Sequence, residues 1–263
     1  MNETLERRVF GAIEFVDDLT GTRVLDPLRI GAPGVGLLRN RAGLYVIREL
    51  DGHDDYTRQF DNAPPNPARS DVSLQVEDPS QRYLPRSFTL SLPRLLRAPN
   101  LPVTDANNAL RPVTVRLWPA AALPVRATWA VMRLTVEVAG TNPPQGLANV
   151  IVEATPHPAG MSVQRTMTDR NGDALIAIAG APPVLPDDGP VGLTREFTAS
   201  VTLVLDRQVV RSSAANTPLP LPDPELVLRR RDALNADIRV VTLQDQVFSA
   251  GASRRHVEKV TWP

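Results

Sequence analysis

The chain has 263 residues, 42% of them hydrophobic, which suits one large or two ordinary domains with real cores and excludes a disordered protein. Its 29 basic and 29 acidic residues cancel, so no positive excess exists to neutralise phosphates, and neither nucleic acid nor an anionic membrane surface is an expected partner. Cysteine is absent, which excludes disulfides and thiolate metal sites.

The 26 prolines and the low aromatic content (5%) restrict helix to short pieces and call for many turns and sheet edges. The first fifteen residues, MNETLERRVFGAIEF, are broken by charge too early to read as a signal peptide. No run approaches the roughly 20 apolar residues of a membrane-spanning helix. Synthesis in the cytoplasm is therefore expected, with any export by another route.

In chain order, residues 1–117 read as a first β unit. Arg8–Val16 alternates, and Gly11 is expected to mark a bulge. Asp17–Gly21 is a turn, Arg23–Ile30 a strand interrupted by proline, and Gly31–Gly36 a glycine-rich loop. Asn40-Arg41-Ala42-Gly43 then turns into the strand Leu44–Ile47. Asp51–Arg69, with Pro64, Pro65 and Pro67, is an exposed loop. Asp71–Val76 and Tyr83–Leu92 alternate as strands, and Phe88, Leu90 and Leu92 share one face. Residues 93–112 look like a linker, and Val113–Trp118 is a further strand.

Residues 118–224 read as a second β unit, opened by the strand Thr128–Val138. Its centre is Gly146–Ile178. Val150–Ala154 is a β-branched strand, Pro156–Gly160 a turn around an exposed His157, and Ser162–Thr168 a strand with Val163, Arg165 and Met167 on one face. Thr168-Asp169-Arg170-Asn171-Gly172-Asp173 is a tight turn, because Asp and Asn can bond their own backbone and Gly can take positive φ. Leu175–Ile178 is the strand that leaves it. Ala181–Gly192 is a loop, and Glu196–Leu205 a long strand with Phe197, Ala199, Val201, Leu203 and Leu205 in register, continued by Gln208–Arg211. The junctions Asn40–Ile47 and Asp169–Ile176 can be laid on one another, which suggests a weak internal duplication; any β protein also repeats a turn, a glycine and a strand.

Residues 216–224 form a proline-rich, extended tether. Residues 225–263 are a C-terminal arm with a last strand at Ala236–Leu243, and its removal is expected to leave the sandwiches folded.

The order strand, turn, strand, T-D-x-x-G turn, strand resembles the carboxypeptidase regulatory-like domain, a transthyretin-like β-sandwich. Gly146, Val150 and Val152 match the family's first strand, and Thr168, Asp169 and Gly172 match its turn. The aromatic that usually stands two positions after the glycine is replaced by Ala174. The resemblance implies an all-β fold of two tandem antiparallel β-sandwiches, transthyretin- or immunoglobulin-like, and says little about activity.

Candidate sites are few. His53 stands beside Asp51, Asp54 and Asp55, which is either a solvated acidic turn or a loop metal site; His157 and His256 have no neighbour at metal-ligand spacing. There is no G-x-S-x-G or S-x-x-K nucleophile. In Gly31–Gly36, Pro33 removes a donor and no helix follows, so the loop is no phosphate cradle. Neither an enzyme nor a cofactor is expected. Arg229-Arg230-Arg231 reads as a solvated segment or as a surface for an acidic partner. Trp262 either packs on its own domain or serves as a docking anchor.

The stretches Asp78-Pro79-Ser80, Arg82-Tyr83-Leu84-Pro85-Arg86 and Phe88, followed by Val115-Arg116-Leu117-Trp118-Pro119-Ala120, resemble accessory proteins of phage-tail-like contractile injection systems. This implies a structural or docking component whose partners are other protein subunits or further copies of itself, assembled in the cytoplasm and released within a particle. The alternative is a free-standing β-sandwich module that binds a glycan or a protein.

Overall fold

The computed structural model describes residues 9–53, 56, 68–94, 108, 111–157, 161–179, 196–215 and 220–262. The chain is all-β with sandwich-type packing. It divides into two compact units, one drawn from Met1–Val16, Thr22–Pro79 and Pro85–Arg116, the other from Asp17–Gly21, Ser80–Leu84 and Leu117–Pro263. The expected loops at 54–67 and 181–192, most of the 93–112 linker and residues 216–219 of the tether lie outside the described residues.

The first unit contains β1 (Gly11–Asp17), β2 (Arg29–Gly31), β3 (Val35–Arg39), β4 (Tyr45–Leu50), β5 (Ser70–Glu77), β6 (Arg86–Leu92) and β7 (Val113–Leu117). They form one sheet in the order β3-β4-β1-β7 and another in the order β2-β5-β6. Alternation places Ile13 and Phe15 of β1, Leu74 and Val76 of β5, and Phe88, Leu90 and Leu92 of β6 in the interior. The Phe15 ring meets Tyr45 edge-on at 5.6 Å and Phe88 at 5.9 Å, which ties the two sheets together.

Three expectations need correction here. The strand at Arg23–Ile30 shrinks to β2 and a single bridge between Val16 and Arg23. Pro27 cannot donate to a ladder, and the Tyr45 hydroxyl instead accepts the Leu28 N–H at 2.7 Å. Gly11 makes no bulge, since its pairing with Ile47 is regular; the register shift falls between Gly36 and Leu37. Glycine is required at 11 because a Cβ there would stand 3.2 Å from Arg94 Cδ. The Gly31–Gly36 loop is shorter than expected, because Val35 and Gly36 already belong to β3.

The second unit contains β8 (Ala130–Val138), β9 (Leu147–Ala148), β10 (Ile151–His157), β11 (Gln164–Met167), β12 (Asp173–Ile178), β13 (Glu196–Asp206), β14 (Arg211–Ser212), α1 (Pro224–Asp232), β15 (Ile238–Thr242), β16 (Gln246–Ser249) and β17 (Ser253–Val260). One sheet has the order β11-β10-β13-β15, with β16 also on β13; the facing sheet is β12-β8-β17. Their inner faces meet in one core: Met132, Leu134 and Val136 with Ala174, Ile176 and Ile178 on one side, and Val152, Ala154, Val201, Leu203 and Leu205 on the other. Full burial of each larger side chain contributes about 1.5–3 kcal/mol.

The T-D-x-x-G turn forms as read. Asp169 Oδ1 accepts the Asn171 and Asp173 N–H groups at 2.8 and 3.1 Å, and Gly172 has φ +83. Asn40 repeats this geometry, accepting Leu44 N–H at 2.9 Å before Gly43 at φ +80. The likeness stops at the turn. β3 and β4 pair with each other, whereas β11 pairs with β10 and β12 with β8. Thr168 locks the motif together: its hydroxyl accepts the Val150 N–H at 2.9 Å and donates to Leu147 O at 2.6 Å, with its own residue 1% exposed.

Four expectations in this unit change. His157 ends β10 rather than sitting in a turn. Residues 208–211 do not continue β13. The Asp206 carboxylate accepts the Gln208 N–H at 2.8 Å and turns the chain, and β14 pairs with β9. Residues 225–263 are not an arm: Leu243, Phe248 and Val260 sit in the main core, β15 and β16 pair with β13, and β17 pairs with β8. Finally, the sandwich is not wholly antiparallel. β17 runs parallel to β8, because the turn at Gly251 carries the chain from one sheet to the other and no hairpin dictates its direction.

Candidate binding groove

The basic run falls on the last turn of α1. Asp223 caps the helix by accepting the Leu226 N–H at 3.1 Å, Pro224 occupies the first turn, and three arginines close it near the negative end of the helix dipole. Two of these arginines are spent inside the chain. Arg230 donates to the wholly buried Asp206 at 2.6 Å, to Gln208 at 2.7 Å and to Asp237 at 3.1 Å. Arg231 pairs with Glu153 and with Asp232, and Glu153 also binds Arg165 at 2.8 Å. Burial works against the Arg231 charge, but hydrogen bonds and attraction from Asp232 and Glu153 outweigh it and hold the guanidinium above its ordinary range. Arg229 alone is exposed. Trp262 is half-buried against the main core of its own unit.

The histidines are scattered. His53 lies edge-on to Phe10 at 6.0 Å, with its ring nitrogens 3.2 and 3.4 Å from the Asp51 and Ala68 carbonyls; Asp54 and Asp55 lie outside the described residues. His157 Nε2 is 2.9 Å from Ser200 Oγ, which donates to Asp245 at 2.9 Å. Here serine stands between histidine and carboxylate, and its proton is held by the acid, which is not the order of a nucleophilic triad. His256 Nε2 lies 3.3 Å from Glu258. Among the described residues, no group of three or more potential ligands could hold a metal ion. Among them, too, no helix is long and apolar enough to cross a membrane.

The two stretches that carried the particle resemblance come together. Leu84 N–H donates to Trp118 O and Ala120 N–H to Arg82 O, each at 2.9 Å, around a bridge from Tyr83 to Pro119. Leu84 and Trp118 pack with Ile151, Met167, Val204 and Val227, so they and α1 cover part of the outer face of the β10–β13 sheet. This explains why Met167 is buried while Val163, on the same face, is exposed.

The facing sheet leaves a groove of about 490 Å³. One end of its outer face is closed by Leu19, Leu123 and Trp129 over Val131, Leu175 and Ala177. Where that cover ends, strand register sets two rows side by side. Arg133 of β8 lies opposite Arg255 of β17, and Asp173 of β12, Thr135 and Val257 form the next row. Ala121, Ala122 and the Asp169 turn wall the groove. Several of its polar groups are engaged. Arg133 donates to Ala121 O, Thr135 donates to Asp173 at 2.7 Å, and Asp169 holds its turn. Arg255 is exposed and makes no hydrogen bond or ion pair among the described residues. Sequence reading missed this site because its residues come from five separated segments, each unremarkable by itself.

Comparison with known protein families, with curated proteins and with solved structures finds no match. The fold therefore defines the class, an all-β sandwich protein, and function has to be argued from the surface.

Proposed function

We propose that the protein is a non-enzymatic docking component of a larger protein assembly, a phage-tail-like contractile particle in which it holds a baseplate, cap or accessory position. The observation that carries docking is the groove over β8, β12 and β17. It is a preformed concavity on a rigid sheet, with a guanidinium at Arg255 that no carboxylate of the chain answers. The choice of particle rests on the sequence resemblance at residues 78–88 and 115–120. Those segments serve the second unit as packing, so the groove and not the motif is the surface offered to a partner.

The test is sedimentation of native lysate through a density gradient, with the protein traced by antibody and heavy fractions viewed by negative stain. Co-sedimentation with tail-like particles supports the proposal. Signal only at the size of a monomer or small oligomer refutes it and favours the free-standing binding module.

A further inference from the structure

We infer that the groove receives an acidic, extended peptide segment of a partner subunit, with Arg255 as the residue that binds its carboxylate. The inference rests on the docking reading and names the partner's chemistry. In the parallel register, Arg133 and Arg255 are direct neighbours on one face. Like charges placed opposite each other across strands destabilise a sheet by about 0.2–1 kcal/mol. Arg133 is steadied by the Ala121 carbonyl, whereas Arg255 has no such partner among the described residues. The two nearby carboxylates do not relieve the pair: Asp173 is held by Thr135 and Asp169 by two backbone N–H groups of its own turn. A carboxylate laid over the two guanidiniums removes their repulsion and gains charge-assisted hydrogen bonds.

Val257 stands one row further along β17, 46% exposed, and offers an apolar contact about two residues of extended chain away. An acidic residue followed at alternate positions by aliphatic ones matches that spacing. A basic segment does not, because Arg255 repels it.

Fluorescence anisotropy on the full chain tests this with a labelled hexapeptide of alternating glutamate and valine. The expected result is saturable binding that weakens on raising salt from 50 to 500 mM and falls at least about tenfold in Arg255→Glu. The Arg229→Glu variant should bind as the wild type does. Arg255 is exposed, so unchanged tryptophan fluorescence should certify folding of its variant. Equal binding of a lysine–valine hexapeptide, no effect of Arg255→Glu, a loss in Arg229→Glu, or displacement by free glutamate as effective as by unlabelled peptide would each overturn the inference. The gradient separates it from the reading on which it rests. If wild type and Arg255→Glu both travel with the particle, the groove is not the contact while docking stands. If the wild type itself does not, docking fails.

Discussion

Gly146 lies across the turn that ends in Gly172, so closely that a Cβ on Gly146 would stand 1.9 Å from the Asn171 carbonyl oxygen. A Cβ on Gly172 would in turn stand 2.5 Å from Val136 O. The two glycines of the sequence motif are thus partners in one backbone crossing between the strand ends of the second core.

Replacing either with alanine is expected to destabilise the second unit by about 2 kcal/mol or more, since backbone cannot yield as a flexible side chain can. Gly140 has a similar φ of +79 but open space around it, so Gly140→Ala should cost only the conformational strain of about 1–2 kcal/mol. Urea denaturation followed by tryptophan fluorescence reads this directly, because Trp118, Trp129 and Trp262 all belong to the second unit. Equal losses for Gly140→Ala and Gly172→Ala would show that space does not matter.

Arg230→Met leaves the buried Asp206 carboxylate without its cation. Removing one partner of such a pair is expected to cost about 3–5 kcal/mol, while the double variant with Asp206→Asn recovers much of the loss. A double-mutant cycle by the same denaturation assay gives the coupling; a double variant as unstable as Arg230→Met would mean that packing, not the stranded charge, dominates.

Truncation after residue 224 should unfold the second unit, because it removes Leu243, Phe248 and Val260 from the core and strips strands from both sheets. The readout is a red shift of tryptophan emission towards that of the denatured chain. A truncated protein with native emission would restore the idea of a detachable arm.

Glu14 of the first unit titrates below the usual carboxylate range, mainly because Thr114 donates to it at 2.7 Å, with Arg23 adding a hydrogen bond and its charge against the cost of partial burial. A depressed carboxylate stabilises the fold above its unfolded pKa of about 4.3, and that contribution is lost as pH falls through the lower folded value. Glu14→Gln should therefore be less stable than wild type at pH 7, by no more than about 1 kcal/mol given the exposure of Arg23, and the gap should close towards pH 3. Urea denaturation followed by far-ultraviolet circular dichroism at the two pH values checks this. A gap that persists at pH 3 would assign the effect to shape and not charge.

Strand content was legible because alternation is a local property. Phe88, Leu90 and Leu92, or Phe197 through Leu205, can satisfy period-two burial in only one phase. The turns at Asn40 and Asp169 were legible because their side chains bond their own backbone. The α1 helix carried its signals in Asp223, Pro224 and Glu225, yet a short segment amid proline-rich strands hid them.

Tertiary structure alone decided partners. Nothing local in 225–263 says that β15 and β16 join β13 while β17 crosses to lie parallel to β8, because pairing between strands far apart in sequence depends on which edges the rest of the fold leaves open. The same holds for charge. Sequence shows three adjacent arginines as equals, but the fold buries Asp206 beneath one, sets Glu153 beside another, and leaves the unanswered cation at Arg255, in a strand that sequence had left unassigned.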